Sequence, residues 1–257
     1  MDTYQDVAIP TLFHEILKSN LQDVDKSIER LTDEAQIVVA AGTATTAWAI
    51  SVATYHLLTT PTILEKLKTE LSSAIPDSNV SISLSVLMQL PYLSAVIQEA
   101  LRLSYGVATR LQRISPDKVM FFTDLQNERT WIIPAGTPVS MTSVLIHHDP
   151  SIFPDSRAYR PERWIENPRL DKYLVAFSKG SRQCLGINLA YAEMYLCLSN
   201  IFRRFGSGGK QGFRLKGDEG VLELYETELS DVEIEADGFV PLTKEGTKGI
   251  RIKVVTS

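Results

Sequence analysis

Apolar positions in the first hundred residues recur at helical spacing, and beyond Gly106 they mostly do not. Residues 7–19 read as a short amphipathic helix. Thr32 has the side chain of an N-cap, with Asp33 and Glu34 behind it in the first turn. It predicts a long helix running to about His56, which "TPT" at 60–62 ends before starting another. In "YLSAVIQEALRLS" (92–104), Leu93, Val96, Ile97, Ala100 and Leu101 share one stripe, the spacing of a buried helical face. After Gly106 the texture turns to β-type segments, "VATRLQRIS", "VMFFT" and "WIIPAGTPVSM", and "PAG" suits a hairpin or strand corner. "DPSIFPDSRAYRPERW" (149–164) reads as coil, 187–205 as helix, and the remainder as strands and turns. "GSGGKQG" (206–212) reads as a flexible loop, since it lacks the spacing and the Lys-Ser/Thr of a phosphate loop. The predicted class is mainly α with small β-sheets (α+β). Its parts are a helical 1–105 that includes the helix of 32–56, a β region over 106–145, coil over 146–186, a helix over 187–205 and a β tail over 206–257.

Composition changes this picture little. With 257 residues, 44% hydrophobic and 22% charged, the chain is long enough for a sizeable core and ordinary for a globular protein. A net charge of −5 argues against a nucleic-acid surface. Two cysteines, Cys184 and Cys197, make no disulfide framework and fit a reducing compartment. The polar amino terminus predicts neither signal peptide nor anchor, which leaves the localisation unassigned. Between Glu34 and His56 run 21 residues without a charge, a length that can span a bilayer. The run contains Gln36, Gly42, four threonines and seven alanines, so the favoured expectation is a helix buried in a protein core.

Three features carry candidate chemistry. In "FSKGSRQCLG" (177–186), glycines around Cys184 let backbone approach a flat ligand, and Arg182 supplies a cation suited to a carboxylate. One cysteine cannot build a tetrahedral zinc site, and His14, His56, His147 and His148 show no ligand spacing to complete one. A single thiolate does fit a haem iron, where the porphyrin provides four nitrogens. A small buried hydrophobe in a loop is the other reading, and this stretch alone leaves both open. In "QEALR", Glu99 and Arg102 stand three apart on the polar side of their helix and can pair there. If "PERW" folds back, Arg163 joins them in a cluster that serves position more than stability. In "AAGTATTAW", Gly42, Thr43, Thr45 and Thr46 crowd poor helix formers into five positions. Either the threonines return hydrogen bonds to the preceding turn, or the helix is weakened there to admit a small ligand such as dioxygen.

Taken together, these features resemble the cytochrome P450 superfamily of haem-thiolate monooxygenases. "FSKGSRQCLG" matches the family's FxxGxRxCxG at Phe177, Gly180, Arg182, Cys184 and Gly186, and "EALR" matches its ExxR. "PERW" matches the arginine-bearing motif, and "AGTATT" looks like the oxygen-binding helix. The texture is most similar to fungal members of secondary metabolism, with terpenoids among their substrates. The resemblance implies Cys184 as axial ligand of haem (iron protoporphyrin IX) and metal-binding residue. It implies Arg182 and Arg113 at the haem propionates, and Phe177 as a shield for the sulfur. Thr45, with Thr46, is the implied catalytic pair at dioxygen. Ala41, Val107, Ala108 and Thr109 are implied on the substrate side, and Cys197 is expected in the core.

Two departures accompany the resemblance. Ala44 stands where the family usually carries Asp or Glu, which leaves Thr45 without the usual carboxylate for proton delivery. The chain is also about half a member's usual length, so 1–257 is expected to be a single partial domain truncated on the amino-terminal side. The long helix, with only 1–31 to cover it, is then expected to keep an exposed apolar face open to association. The implied function is insertion of one atom of O2 into a small apolar substrate, with electrons from NADPH through a separate reductase. Full-length relatives are expected at the endoplasmic reticulum membrane. The alternative is an inactive or partner-dependent fragment without independent catalysis.

Overall fold

The computed structural model describes residues 11–80, 82–124 and 127–256. The chain divides into two compact units, Met1–Ala44 and Thr45–Ser257. Within the first lie α1 (Leu12–Lys18), a 3-10 turn over Asp23–Lys26 and the beginning of α2 (Ile28–Thr59). Thr11 and His14 form a reciprocal cap on α1. Residues 7–10 of the expected amphipathic helix lie outside the described residues.

The long helix begins a turn earlier than Thr32. Ser27 Oγ accepts from the Arg30 amide at 3.3 Å, and Thr32 donates its hydroxyl to the Ile28 carbonyl at 2.7 Å. Thr32 is therefore an interior residue bonded back along its own helix, and Ser27 supplies the capping oxygen. The expectation of a chain without an anchor is overturned. At 32 residues, with a mean hydropathy of 1.5 over its most apolar stretch, α2 is long and apolar enough to cross a membrane. Only 28% of that stretch is buried. Ile37, Val38 and Val39 are exposed, whereas Ala49, Val52, Ala53 and Leu57, all in the second unit, are core.

The second unit is built around α5 (Pro91–Ser104), flanked by α3 (Pro61–Ala74), α7 (Glu162–Glu166) and α8 (Ile187–Arg204). Pro61 and Pro91 open α3 and α5, where a missing N–H costs nothing. Glu70 on α3 accepts from the Tyr92 and Leu93 amides, both at 2.8 Å, and so caps α5 from outside. Short α4 (Leu84–Leu87) packs on α8, and α6 (Ser143–His147) is capped by Thr142. Lys68 is buried with Asp218 and donates to the Phe202 and Phe205 carbonyls at 2.8 and 2.9 Å, which satisfies the end of α8.

The sheets are small, as the pattern predicts. Antiparallel pairs join β1 (Arg113–Ile114) to β4 (Pro138–Val139) and β2 (Met120–Asp124) to β3 (Arg129–Ile133). "PAG" turns the chain between β3 and β4; Gly136, at φ +79°, donates to the Ser115 carbonyl at 2.8 Å. In the tail, β5 (Phe205–Ser207) runs parallel to β6 (Gly220–Leu224), which pairs antiparallel with β9 (Ile252–Thr256). A last hairpin joins β7 (Ala236–Gly238) to β8 (Val240–Leu242). Two local expectations change. The start of "GSGGKQG" is strand, with Gly206 pressed against Phe213 and Arg214. "PERW" lies on the helix α7 rather than in coil, because Trp164 and Arg163 have buried partners to face.

Candidate functional site

The carboxylate of Glu99 accepts five hydrogen bonds. It is fully buried, as is Arg102, although spacing had put both on a polar side. Nearly every face of α5 is covered, so the tertiary packing leaves no polar side. Arg102 binds Glu99 through two parallel bonds, Nε to Oε2 at 3.0 Å and Nη2 to Oε1 at 2.8 Å. Arg163 Nε donates to Oε1 at 3.1 Å, Trp164 Nε1 to Oε2 at 2.9 Å, and the Arg160 amide to Oε1 at 2.8 Å. The arginines spend their remaining hydrogens on main-chain carbonyls. Arg102 reaches those of His147, Ser156 and Ala158, and Arg163 those of Pro154 and Asp155. Two buried guanidiniums around one buried carboxylate thus fix the irregular segment 154–160.

From this cluster a second connection runs to the cysteine loop. His147 is fully buried, and burial pushes its imidazole down to about 3. Its Nδ1 donates to the Arg102 carbonyl at 2.8 Å, and its Nε2 accepts from the Val175 amide at 3.0 Å. The Ser178 amide then donates to the Val175 carbonyl at 2.8 Å, and the Cys184 amide to the Phe177 carbonyl at 2.9 Å. Gly106, just past α5, lies against the strap of residues 175–178 that leads into this loop. Its φ is +67°, and a Cβ there would sit 2.2 Å from the Ala176 carbonyl oxygen.

The loop itself faces outward. Residues 179–186 are exposed, and Leu185 beside the thiol is 91% exposed. Cys184 is free and exposed, Arg182 is exposed, and Gly180 has φ +78° with open space at its Cβ position. Gly186 lies in ordinary contact, 3.9 Å from its Cβ position to Cys184 Sγ. Phe177 is half-buried, 5.4 Å from Tyr191 between ring centres. Arg113 is exposed and donates to Ser178 Oγ at 3.3 Å, which brings it to the base of this loop. Among the described residues no three His, Cys, Asp or Glu side chains gather into a metal-holding group.

A family comparison gives this loop its context. The profile of cytochrome P450 matches residues 9–209, the stretch that contains α5, the Glu99 cluster and the Cys184 loop. The chain belongs to the cytochrome P450 family. It is 54% identical over 254 residues to the cytochrome P450 monooxygenase tpcC of Cochliobolus heterostrophus, covering 99% of this chain and 48% of the relative. It is 51% identical over 254 residues to the cytochrome P450 monooxygenase astB of Talaromyces wortmannii, covering 98% and 51%. A third relative, the N-acetyltryptophan 6-hydroxylase ivoC of Emericella nidulans, is 39% identical over 252 residues, covering 95% and 45%. The chain spans about half the length of the curated relatives it matches.

The donor set is compatible with the haem of that family. A lone thiol suits an iron whose four other ligands come from a porphyrin, and the guanidiniums of Arg182 in its loop and Arg113 at the loop's base suit carboxylates. Elsewhere the P450 motif residues scatter. Thr46 is buried and Thr45 half-buried on α2, in the second unit, while Ala41 is exposed in the first. Val107, Ala108 and Thr109 are held to α6 and the tail: Ser143 Oγ donates to the Val107 carbonyl at 3.1 Å, Thr142 Oγ1 to that of Ala108 at 2.6 Å, and the Ala108 amide to that of Phe239 at 2.9 Å. Cys197 is exposed, which corrects its expected place in the core. The buried stripe of α8 includes Ala190, Met194, Tyr195, Leu198 and Phe202, and Cys197 lies outside it, exposed like Leu189 and Leu196. Sequence reasoning missed His147 and Gly106. His147 shows no zinc-ligand spacing that would draw notice, and nothing local to Gly106 points at Ala176, seventy residues on.

Proposed function

We propose that this chain is the carboxy-terminal half of a haem-thiolate monooxygenase domain and that it depends on a complementary partner, without catalysis of its own. The observation that carries this is that Cys184 and Arg182 share one loop with Arg113 at its base, while the chain spans about half the length of its relatives. A thiolate ligand functions in a dry, enclosed site, and half a domain's residues enclose only part of one. In the completed domain Cys184 would ligate the haem iron, Arg182 and Arg113 would bind the propionates, and Gly180 and Gly186 would leave room for the macrocycle. Phe177 shields one side of the loop, and the Glu99, Arg102 and Arg163 cluster sets its position. Bound haem supplies oxygen activation, with electrons passed from NADPH by a reductase, for insertion of one oxygen atom into a small apolar or aromatic molecule. Thr45 Oγ1 is the hydroxyl that holds a proton for that chemistry, with Ala44 beside it in place of an acid.

Absorption spectra of the purified chain, ferric and then reduced under carbon monoxide, test this reading. The isolated chain, incubated with haem, is expected to give no strongly red-shifted Soret band and no turnover with a reductase and NADPH. Adding the amino-terminal half of the tpcC relative as a separate polypeptide is expected to produce that band, and Cys184→Ala to abolish it. A stable red-shifted band with turnover from the isolated chain would overturn the partner dependence. No band under any condition would overturn the assignment of Cys184.

A further inference from the structure

We propose that His147 is the positioning residue that couples the Glu99–Arg102 clasp to the strap bearing Cys184. What the strap serves rests on the haem-thiolate reading; the coupling itself rests on geometry alone. Residues 102 and 147 hold each other reciprocally. Arg102 Nη1 donates to the His147 carbonyl at 2.9 Å, and His147 Nδ1 faces the Arg102 carbonyl at 2.8 Å. A carbonyl only accepts, so the ring hydrogen is on Nδ1. The Nε2 lone pair is thereby left free to accept, and the Val175 amide donates to it at 3.0 Å.

Both ring nitrogens are therefore committed, one to the end of α5 and one to the strap. No other protonation state serves both. The Nε2–H tautomer would oppose two donors at Val175 and two acceptors at Arg102, and the imidazolium would still lose the Val175 bond. The ring's packing against Phe153, with centres 6.3 Å apart, needs only an aromatic shape. Shape and hydrogen bonding can thus be separated by substitution. Phe keeps the first and loses the second. Gln offers an amide hydrogen for the Arg102 carbonyl and an oxygen for the Val175 amide.

Nitrogen-15 NMR of the full chain at neutral pH gives the decisive reading, and it requires no variant. A neutral His147 with its hydrogen on Nδ1 is expected; an Nε2–H tautomer or an imidazolium would overturn the proposal. Amide hydrogen exchange then tests the coupling. In His147→Phe the amides of Val175, Ser178 and Cys184 should exchange at least about tenfold faster, while the α8 core amides of Met194 and Leu198 stay within about threefold. His147→Gln should return the strap amides to within about threefold of the original chain. Strap amides unchanged in His147→Phe, or core amides accelerated by the same factor, would overturn positioning through this side chain. If His147→Phe does not fold, the tautomer decides alone. Neither measurement uses haem, so a failed Soret experiment leaves this result intact, and a failed exchange experiment leaves the haem assignment standing.

Discussion

The Glu99 cluster and the Cys184 loop each carry a motif within the second unit, and they are opposites in burial. The cluster is sealed: its carboxylate takes five donor hydrogens, and its two guanidiniums close onto five main-chain carbonyls. The loop is open, and its thiol and arginine face solvent. Burying three charges gains little net stability, because desolvation offsets most of the attraction. It does gain a single geometry for the irregular chain of 154–160 and, through His147, for the strap of 175–178. The difference teaches a division of labour. Fixed charge is hidden where it positions, and the loop thiol is left in solvent.

The sharpest way to break this contrast is Glu99→Ala. It leaves Arg102 and Arg163 buried without a counter-charge, and the expected loss is about 3–5 kcal/mol, read as a collapse of the urea midpoint. A midpoint within error of the original chain would mean that the cluster is hydrated and the contrast false. Gly106→Ala comes next. A Cβ at φ +67°, 2.2 Å from the Ala176 carbonyl oxygen, forces α5 and the strap apart. The expected cost is about 2 kcal/mol or more by thermal melting.

Acid sharpens the comparison further. Burial holds His147 down to about 3, and His148 and His56 to about 4. An unfolded chain takes up these protons near pH 6.5, so each imidazole stabilises the fold fully above that pH. Stability is lost as pH falls toward the folded values, by at most about 1.4 kcal/mol per pH unit for each group. Urea midpoints measured from pH 7.5 to 5 should therefore decline, and in His147→Gln the decline should be shallower. Cys184→Ala has the smallest effect. An exposed loop thiol should change stability by less than about 0.5 kcal/mol, while removing the red-shifted Soret band of the complemented protein.

Spacing alone was enough to put Glu99 and Arg102 on neighbouring turns, and to put Leu93, Val96, Ile97, Ala100 and Leu101 on one buried stripe. It was not enough to show that the "polar" side of that helix would be buried too, because α7 and the segment 154–160 return from sixty residues away. Thr32 looked like a cap since capping side chains are recognised by type, yet its hydroxyl is used within the helix and Ser27 serves instead. Cys197 looked like core because its helix is apolar, but α8 is covered on one side only. The reading of the amino terminus as free of any anchor failed for a simpler reason. The first residues are polar, whereas α2 carries an uncharged run with the length of a membrane span.

Local chemistry settles what local chemistry can decide: helical period, the turn at Gly136, proline at two helix starts, and a thiol set between glycines and an arginine. Those features depend on neighbours within a few residues, and they carry the family signature. Tertiary structure alone decided which charges are dry, that His147 joins two distant segments through opposite ring nitrogens, and that Gly106 must yield to Ala176. Burial and hydrogen-bond partners are set by chain segments far apart in sequence, and no window of residues contains both sides of such a contact.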